Sequence, residues 1–152
     1  MKKDDQLPGD VPFVMSGTTN TGVIGYISNP VARFPKNSIT IDIFGNSFYR
    51  NYDFGAGDDT GGILEHREGI FQNLYVVFAA AMGRALRGKY SYGKKLRSSQ
   101  SIHFKMQLPT KDGKPDYDAM AALISAVQKL VIKDVVLYAD RKIEKTKDVT
   151  KR

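Results

Sequence analysis

The sequence has 152 residues, 41% of them hydrophobic and 26% charged, with no cysteine. That length suits one domain with one core, and the missing cysteines exclude disulfides and thiolate metal sites. A net charge of +7 and an isoelectric point of about 9.5 favour a polyanionic partner, or serve solubility alone. No apolar run is long enough to cross a bilayer, and Met1-Lys2-Lys3 leads into Asp4-Asp5 rather than a signal-peptide core, so no membrane association and a cytoplasmic location are expected.

Residues 1–9 read as a flexible lead-in. Residues 11–15 (VPFVM) form a short apolar run and a predicted strand. Residues 16–22 (SGTTNTG) are small and polar, which predicts a loop. Strand character returns at residues 23–27. Ser28-Asn29-Pro30 and Pro35-Lys36-Asn37 are turns. Ile39, Ile41 and Ile43 alternate with Thr40 and Asp42, the period of a strand with one buried face. Gly45-Asn46 closes a tight hairpin, and residues 47–50 return. Residues 53–62 (DFGAGDDTGG) are glycine-rich and acidic, and residues 62–67 form a further strand.

A helix is predicted over residues 70–86. Phe71, Leu74, Phe78, Met82 and Ala85 follow the spacing of one buried face. Gly83 costs about 1 kcal/mol in such a helix. Arg84 and Arg87 suit the negative end of its dipole.

No Asp or Glu occurs between Glu68 and Asp112, a span that holds eight lysines and arginines from Arg84 to Lys111. A one-sign block inside a folded domain attracts polyanions. Within it, residues 89–97 carry Tyr90, Tyr92, Lys94, Lys95 and Arg97. Lysine and arginine neutralise phosphates, and tyrosine stacks on bases or bonds a phosphate. The plain alternative is a solvated basic loop. Ile102, Phe104, Met106 and Leu108 alternate with polar residues, which predicts a strand over residues 101–108 ended by Pro109. Asp112-Gly113 gives a turn, and Asp116 is the expected N-cap of a last helix.

In that helix Met120, Ile124, Val127 and Val131 are spaced by fours and threes, as in a coiled coil. Leu123 and Leu130 widen the stripe, and Val135 and Tyr138 extend it. A helix reaching Lys147 would span about 45 Å. That exceeds what one small domain covers, so part of it is expected to pack on another chain. The alternative is a shorter helix folded back on its own domain.

Catalytic signals are few. The two histidines, His66 and His103, lack a helical partner four residues on, so no zinc pair is indicated. There is no nucleophile elbow, phosphate-binding loop or dinucleotide fingerprint, and the calcium-loop pattern fails. Asp58 and Asp59 with Glu65-His66-Arg67 leave one alternative, a Mg²⁺-dependent nuclease.

The order of motifs in the second half is more informative. Tyr90-x-Tyr92-Gly93-Lys94-Lys95 is followed by Ile102, by Leu108-Pro109, and by Gly113-x-Pro115-Asp116 with Met120. This series resembles the target-recognition domain of restriction-modification specificity subunits, of the Type I kind and of the two-subunit BcgI kind. Upstream, the Ser/Thr/Asn loop before Gly22-Val23-x-Gly25-Tyr26, and Phe54 ahead of Gly57-Asp58-Asp59, are similar as well. The resemblance covers roughly the whole chain.

It implies an α/β fold, a small mixed-sheet recognition domain over residues 1–114 followed by a long helix over residues 115–152. It also implies a DNA-recognition component without catalysis or cofactor of its own. A partner methyltransferase subunit would use S-adenosylmethionine, and a restriction subunit could join. Full-length specificity subunits hold two such domains and two helices, and this chain has one of each. It therefore matches a half-subunit that pairs with itself, one half of a longer subunit, or the recognition end of a fused restriction-methylation enzyme. Ser16, Thr18, Thr19 and Asn20 in the first loop, and Tyr90, Tyr92, Lys94, Lys95 and Arg97 in the second, are the expected DNA contacts. The amide of Asn20 can pair with adenine, although a hydroxyl-rich turn can also satisfy only its own backbone. Met120, Ile124, Val127 and Val131 are the expected partner surface, whether the assembly is a homodimer or a hetero-oligomer. A non-catalytic scaffold that binds RNA or DNA is the reading from another class.

Overall fold

The computed structural model describes residues 1–60, 62–64, 72–101 and 103–150. Contacts divide the chain into two compact units, Met1–Leu108 and Pro109–Arg152. Together they are α/β, with mixed sheets in the first unit and a long helix in the second. No helix among the described residues is long and apolar enough to cross a membrane.

The first unit holds two sheets. In one, β1 (Pro8–Val14) pairs antiparallel with β2 (Val23–Ile27) and parallel with β6 (Phe54–Ala56), which pairs antiparallel with β3 (Ala32–Phe34). In the other, β4 (Ser38–Ile41) is central between β5 (Ser47–Arg50) and β7 (Gly62–Leu64), all antiparallel. Val14, Val23 and Phe54 form a buried cluster with Phe34, Tyr52, Ala56 and Ile63 packed on it. The lead-in is not free. β1 begins at Pro8, and Asn29 ties down what precedes it, accepting from the Leu7 amide at 2.7 Å and donating to the Asp5 carbonyl at 2.9 Å.

Strand β4 departs from the half-buried pattern that its alternation predicts. All four of its residues are buried, as is Asp42 just beyond it. An antiparallel strand can leave one face to water, but the polar face here is closed by the Arg50 side chain, which donates to Thr40 Oγ1. Helix α1 (Leu74–Leu86) packs on β5. Its start falls after the predicted one; residues 70 and 71, with Phe71 of the predicted stripe, lie outside the described residues, as do residues 65–67. Gly83 has a packing reason. A Cβ there would meet Ser47 Oγ at 3.0 Å, and that hydroxyl donates to the Ala79 carbonyl at 2.6 Å, so helix and strand approach closely. Tyr75 stacks on Tyr49 at 6.1 Å between ring centroids.

The strand predicted over residues 101–108 is absent. α2 (Ser98–Ser101) occupies its start, and residues 103–109 form no ladder; Ile102 lies outside the described residues. The alternation survives as burial, with Phe104, Met106 and Leu108 half-buried and His103, Lys105 and Gln107 exposed. Lys105, Met106 and Gln107 lie beside Ala81, Arg84 and Ala85 of α1. A helix has its backbone groups bonded internally, so it takes up an apolar face without offering a ladder.

In the second unit, β8 (Thr110–Lys111) and β9 (Lys114–Pro115) form a hairpin around Asp112 and Gly113, at φ 51° and 75°. Two positive φ values are what a tight hairpin turn requires. Asp116 then caps α3 (Tyr117–Thr150), its carboxylate accepting from the Ala119 amide at 2.9 Å. The helix has 34 residues, about 50 Å at 1.5 Å per residue.

Candidate nucleic-acid interface

The site is built around the turn 42–46, which joins β4 to β5. Its organiser is the buried carboxylate of Asp42. Oδ1 accepts from the amides of Phe44 at 2.9 Å and Asn46 at 2.8 Å, and Oδ2 accepts from Asn46 Nδ2 at 2.8 Å. The fourth bond reaches across the fold, from the Gly17 amide to Oδ2 at 2.9 Å. Gly45 sits in the turn at φ 83°, where a Cβ would meet Leu86 Cβ at 2.9 Å and Tyr90 Cδ2 at 3.3 Å. Only glycine meets both demands.

The loop 16–22 is thus tied to the turn at Gly17. Its other end is held by Arg50, which is 1% exposed. Arg50 donates to the Thr21 carbonyl at 2.6 Å, to Thr21 Oγ1 at 3.0 Å, to Thr40 Oγ1 at 2.9 and 3.1 Å, and to Tyr52 Oη at 3.1 Å. These bonds hold Asn20 and Thr21 at φ 47° and 52°, a conformation that a β-branched residue adopts only under outside restraint. Thr18, Thr19, Asn20 and Thr21 are exposed at the crest, and Ser16 is half-buried. The exposed Asn20 donates its side-chain amide to the Val23 carbonyl at 3.3 Å.

The basic loop 89–97 is anchored on the same turn. The buried Leu96 donates its amide to the Ile43 carbonyl at 2.8 Å, and the half-buried Tyr90 lies against Gly45. Ser91 and Lys94 exchange backbone bonds of 3.1 and 3.0 Å, which puts Tyr92 and Gly93 at the tip of a tight turn. Tyr92 is 84% exposed, with Lys95 Nζ 5.0 Å from its ring centroid. Lys94 and Arg97 are exposed. The two tyrosines therefore differ, Tyr90 serving as an anchor and Tyr92 standing exposed at the tip beside Lys95.

Between the loop 16–22 and the end of α1 runs a cleft of about 560 Å³. Thr18 forms one side, residues 44–48 the floor, and Ala80, Gly83, Arg84, Arg87 and Gly88 the other side. The structure thus gathers both predicted loops about one turn. It adds residues that the sequence reading did not assign to the site, namely Asp42, Arg50, Phe44 and Phe48. Arg84 and Arg87 were legible as charge but not as cleft residues.

The family model for the Type I restriction modification DNA specificity domain matches residues 1–136. The chain belongs to this family. Among curated proteins, this specificity domain is similar to the Type II restriction enzyme specificity subunit S.BcgI of Heyndrickxia coagulans. The two are 27% identical over 136 residues, which make up 87% of this chain and 40% of the relative. The chain thus spans two fifths of the relative's length. No solved structure matches it. The resemblance carried by the motif series from Tyr90 to Met120 is borne out. Among the described residues of the specificity domain, no group of three or more His, Asp or Glu could hold a metal ion. Glu65, His66 and Arg67 of the nuclease alternative lie outside them.

The expected partner surface divides within α3. Met120 and Ile124 are buried at 0% and 9% exposure, whereas Val127 and Val131 are exposed at 44% and 58%.

Proposed function

We propose that the chain reads DNA sequence and directs a partner methyltransferase, and with it a restriction subunit, to a target site. The observation that carries this reading is the convergence of the two loops on the turn 42–46. One loop offers hydroxyls and an amide, the groups that pair with base edges. The other offers lysines and an exposed tyrosine, the groups that hold phosphates and stack on bases. Buried charged residues fix the first loop, and a rigid scaffold lets loops discriminate. The chain carries no chemistry of its own, and S-adenosylmethionine belongs to the partner, in the cytoplasm where the DNA lies. The half-subunit and the half of a longer subunit both accommodate one recognition unit and one helix.

Selection from a randomised duplex pool by the purified chain tests the reading, together with co-purification of a methyltransferase. An enriched motif that coincides with methylated sites in cells carrying the gene is the expected result. Binding without any enriched motif would favour the nucleic-acid scaffold.

A further inference from the structure

The cleft beside the loops has a chemistry that neither loop explains. Arg84 and Arg87 stand on its α1 side, both exposed, and no described contact pairs either with a carboxylate. Among the described residues, no Asp or Glu lines it. The nearest carboxylate in the turn, Asp42, is buried and saturated by four donors. At Gly88, where a Cβ would meet nothing within 4 Å, the rim is bare backbone, so a bulky chain can approach closely there. Thr18 and Asn46 supply neutral polar groups on the facing side. Arg84 also lines the neighbouring hollow, of about 380 Å³, opposite Lys105. Positive charge therefore follows the last turns of α1 from one hollow into the next. Helix-dipole compensation alone asks only for a cation near the last carbonyls. It does not call for an open cleft in front of it whose described lining holds no carboxylate.

We infer that this cleft seats one sugar–phosphate strand of the duplex beside the reading loops, with Arg84 and Arg87 as its phosphate ligands. Residues one helical turn apart have Cβ atoms roughly 5–6 Å apart, so two long side chains can reach successive phosphates of one strand. Guanidinium groups suit this task because their planar fork binds phosphate oxygens bidentately. The strand then lies against Thr18, which brings the crest of the loop 16–22 to the adjoining groove. The inference rests on the reading that the chain binds DNA.

The test is a salt titration of duplex binding by the full 152-residue chain, read by fluorescence anisotropy. It compares Arg84→Gln/Arg87→Gln with a control of equal charge loss, Arg33→Gln/Lys36→Gln, at exposed positions away from the cleft. Thermal melts followed by circular dichroism establish that both variants are folded. Two lost phosphate contacts flatten the slope of log K against log salt by about 1.8, while the control pair leaves the slope unchanged. A slope that falls equally in both pairs, or in neither, overturns the assignment while DNA binding stands. A wild-type chain with no salt-sensitive duplex binding overturns the DNA reading and the cleft together. A millimolar mononucleotide should not displace the duplex; displacement would make the cleft a nucleotide pocket and overturn the strand assignment.

Discussion

Asp42 shows how one side chain positions a loop that is distant in sequence. It accepts four hydrogen bonds while 5% exposed. Removing an acceptor from buried donors costs the desolvation of each donor left unpaired. Asp42→Ala is therefore expected to destabilise the first unit by about 3 kcal/mol, measured by urea unfolding. Asp42→Asn should cost less and act more locally. Its amide oxygen can keep the Phe44 and Asn46 amides, but its NH₂ faces the Gly17 amide donor to donor. Greater amide exchange in the loop 16–22 than in β4 would be the signature. At the crest, Thr19→Ala, Asn20→Ala and Arg97→Ala should weaken the cognate duplex selectively, by about 1–3 kcal/mol per lost base contact. For the uncharged Thr19 and Asn20, affinity for scrambled duplexes and its salt slope should stay the same. Equal losses on cognate and scrambled duplexes would put these residues on phosphates or in the scaffold. Sequence choice would then have to come from the hairpin near Asn46 and Tyr49.

At the scale of elements, α3 carries more apolar surface than this chain covers. Leu123, Val127, Leu130, Val131 and Val135 are between 44% and 64% exposed. Apolar residues at threes and fours along an exposed helix are the pattern of a helix-to-helix interface, with each buried side chain worth about 1.5–3 kcal/mol. Val127→Glu/Val131→Glu should leave the first unit's thermal transition in place and abolish association, whether with a second copy or with a methyltransferase subunit. Analytical ultracentrifugation and pull-down read the two cases. A wild-type chain that sediments as a monomer at high concentration and captures no methyltransferase would refute an interface on α3. Met120 and Ile124 are poor choices for this experiment, since they are already buried and their replacement would unsettle the fold itself.

For the molecule as a whole, the excess of positive charge acts as a field. The net charge of +7 is accompanied by an acid-free span between Glu68 and Asp112, and the cleft arginines and the tip lysines both come from it. Such a field supplies affinity without sequence preference. Lys94→Glu/Lys95→Glu should therefore weaken binding to every duplex by a similar factor and reduce its salt dependence, with the selected motif unchanged. A change in the motif itself would move these lysines from phosphates to base edges.

Much of this architecture is legible where the physics is local. The Asp112-Gly113 turn, the Asp116 cap and the helix beyond it follow from residues within a few positions of one another, so a linear reading finds them. The loop 16–22 and the basic loop are legible as composition for the same reason. The alternation at residues 103–108 marks a half-buried face but not a strand, because period-two burial does not say whether a ladder partner lies alongside. What the chain alone could not disclose are contacts between distant residues. Gly17 and Asp42 are 25 positions apart, and Thr21 and Arg50 are 29 apart. An aspartate after a strand and an arginine at a strand end carry no mark of those partners. The stripe on α3 makes the same point, since its residues share one spacing and only packing separates the buried Met120 and Ile124 from the exposed Val127 and Val131. Local sequence sets which elements form and where charge accumulates, whereas the closing of long loops in three dimensions determines which of those charges face a ligand and which are buried to hold the ligand-facing loops in place.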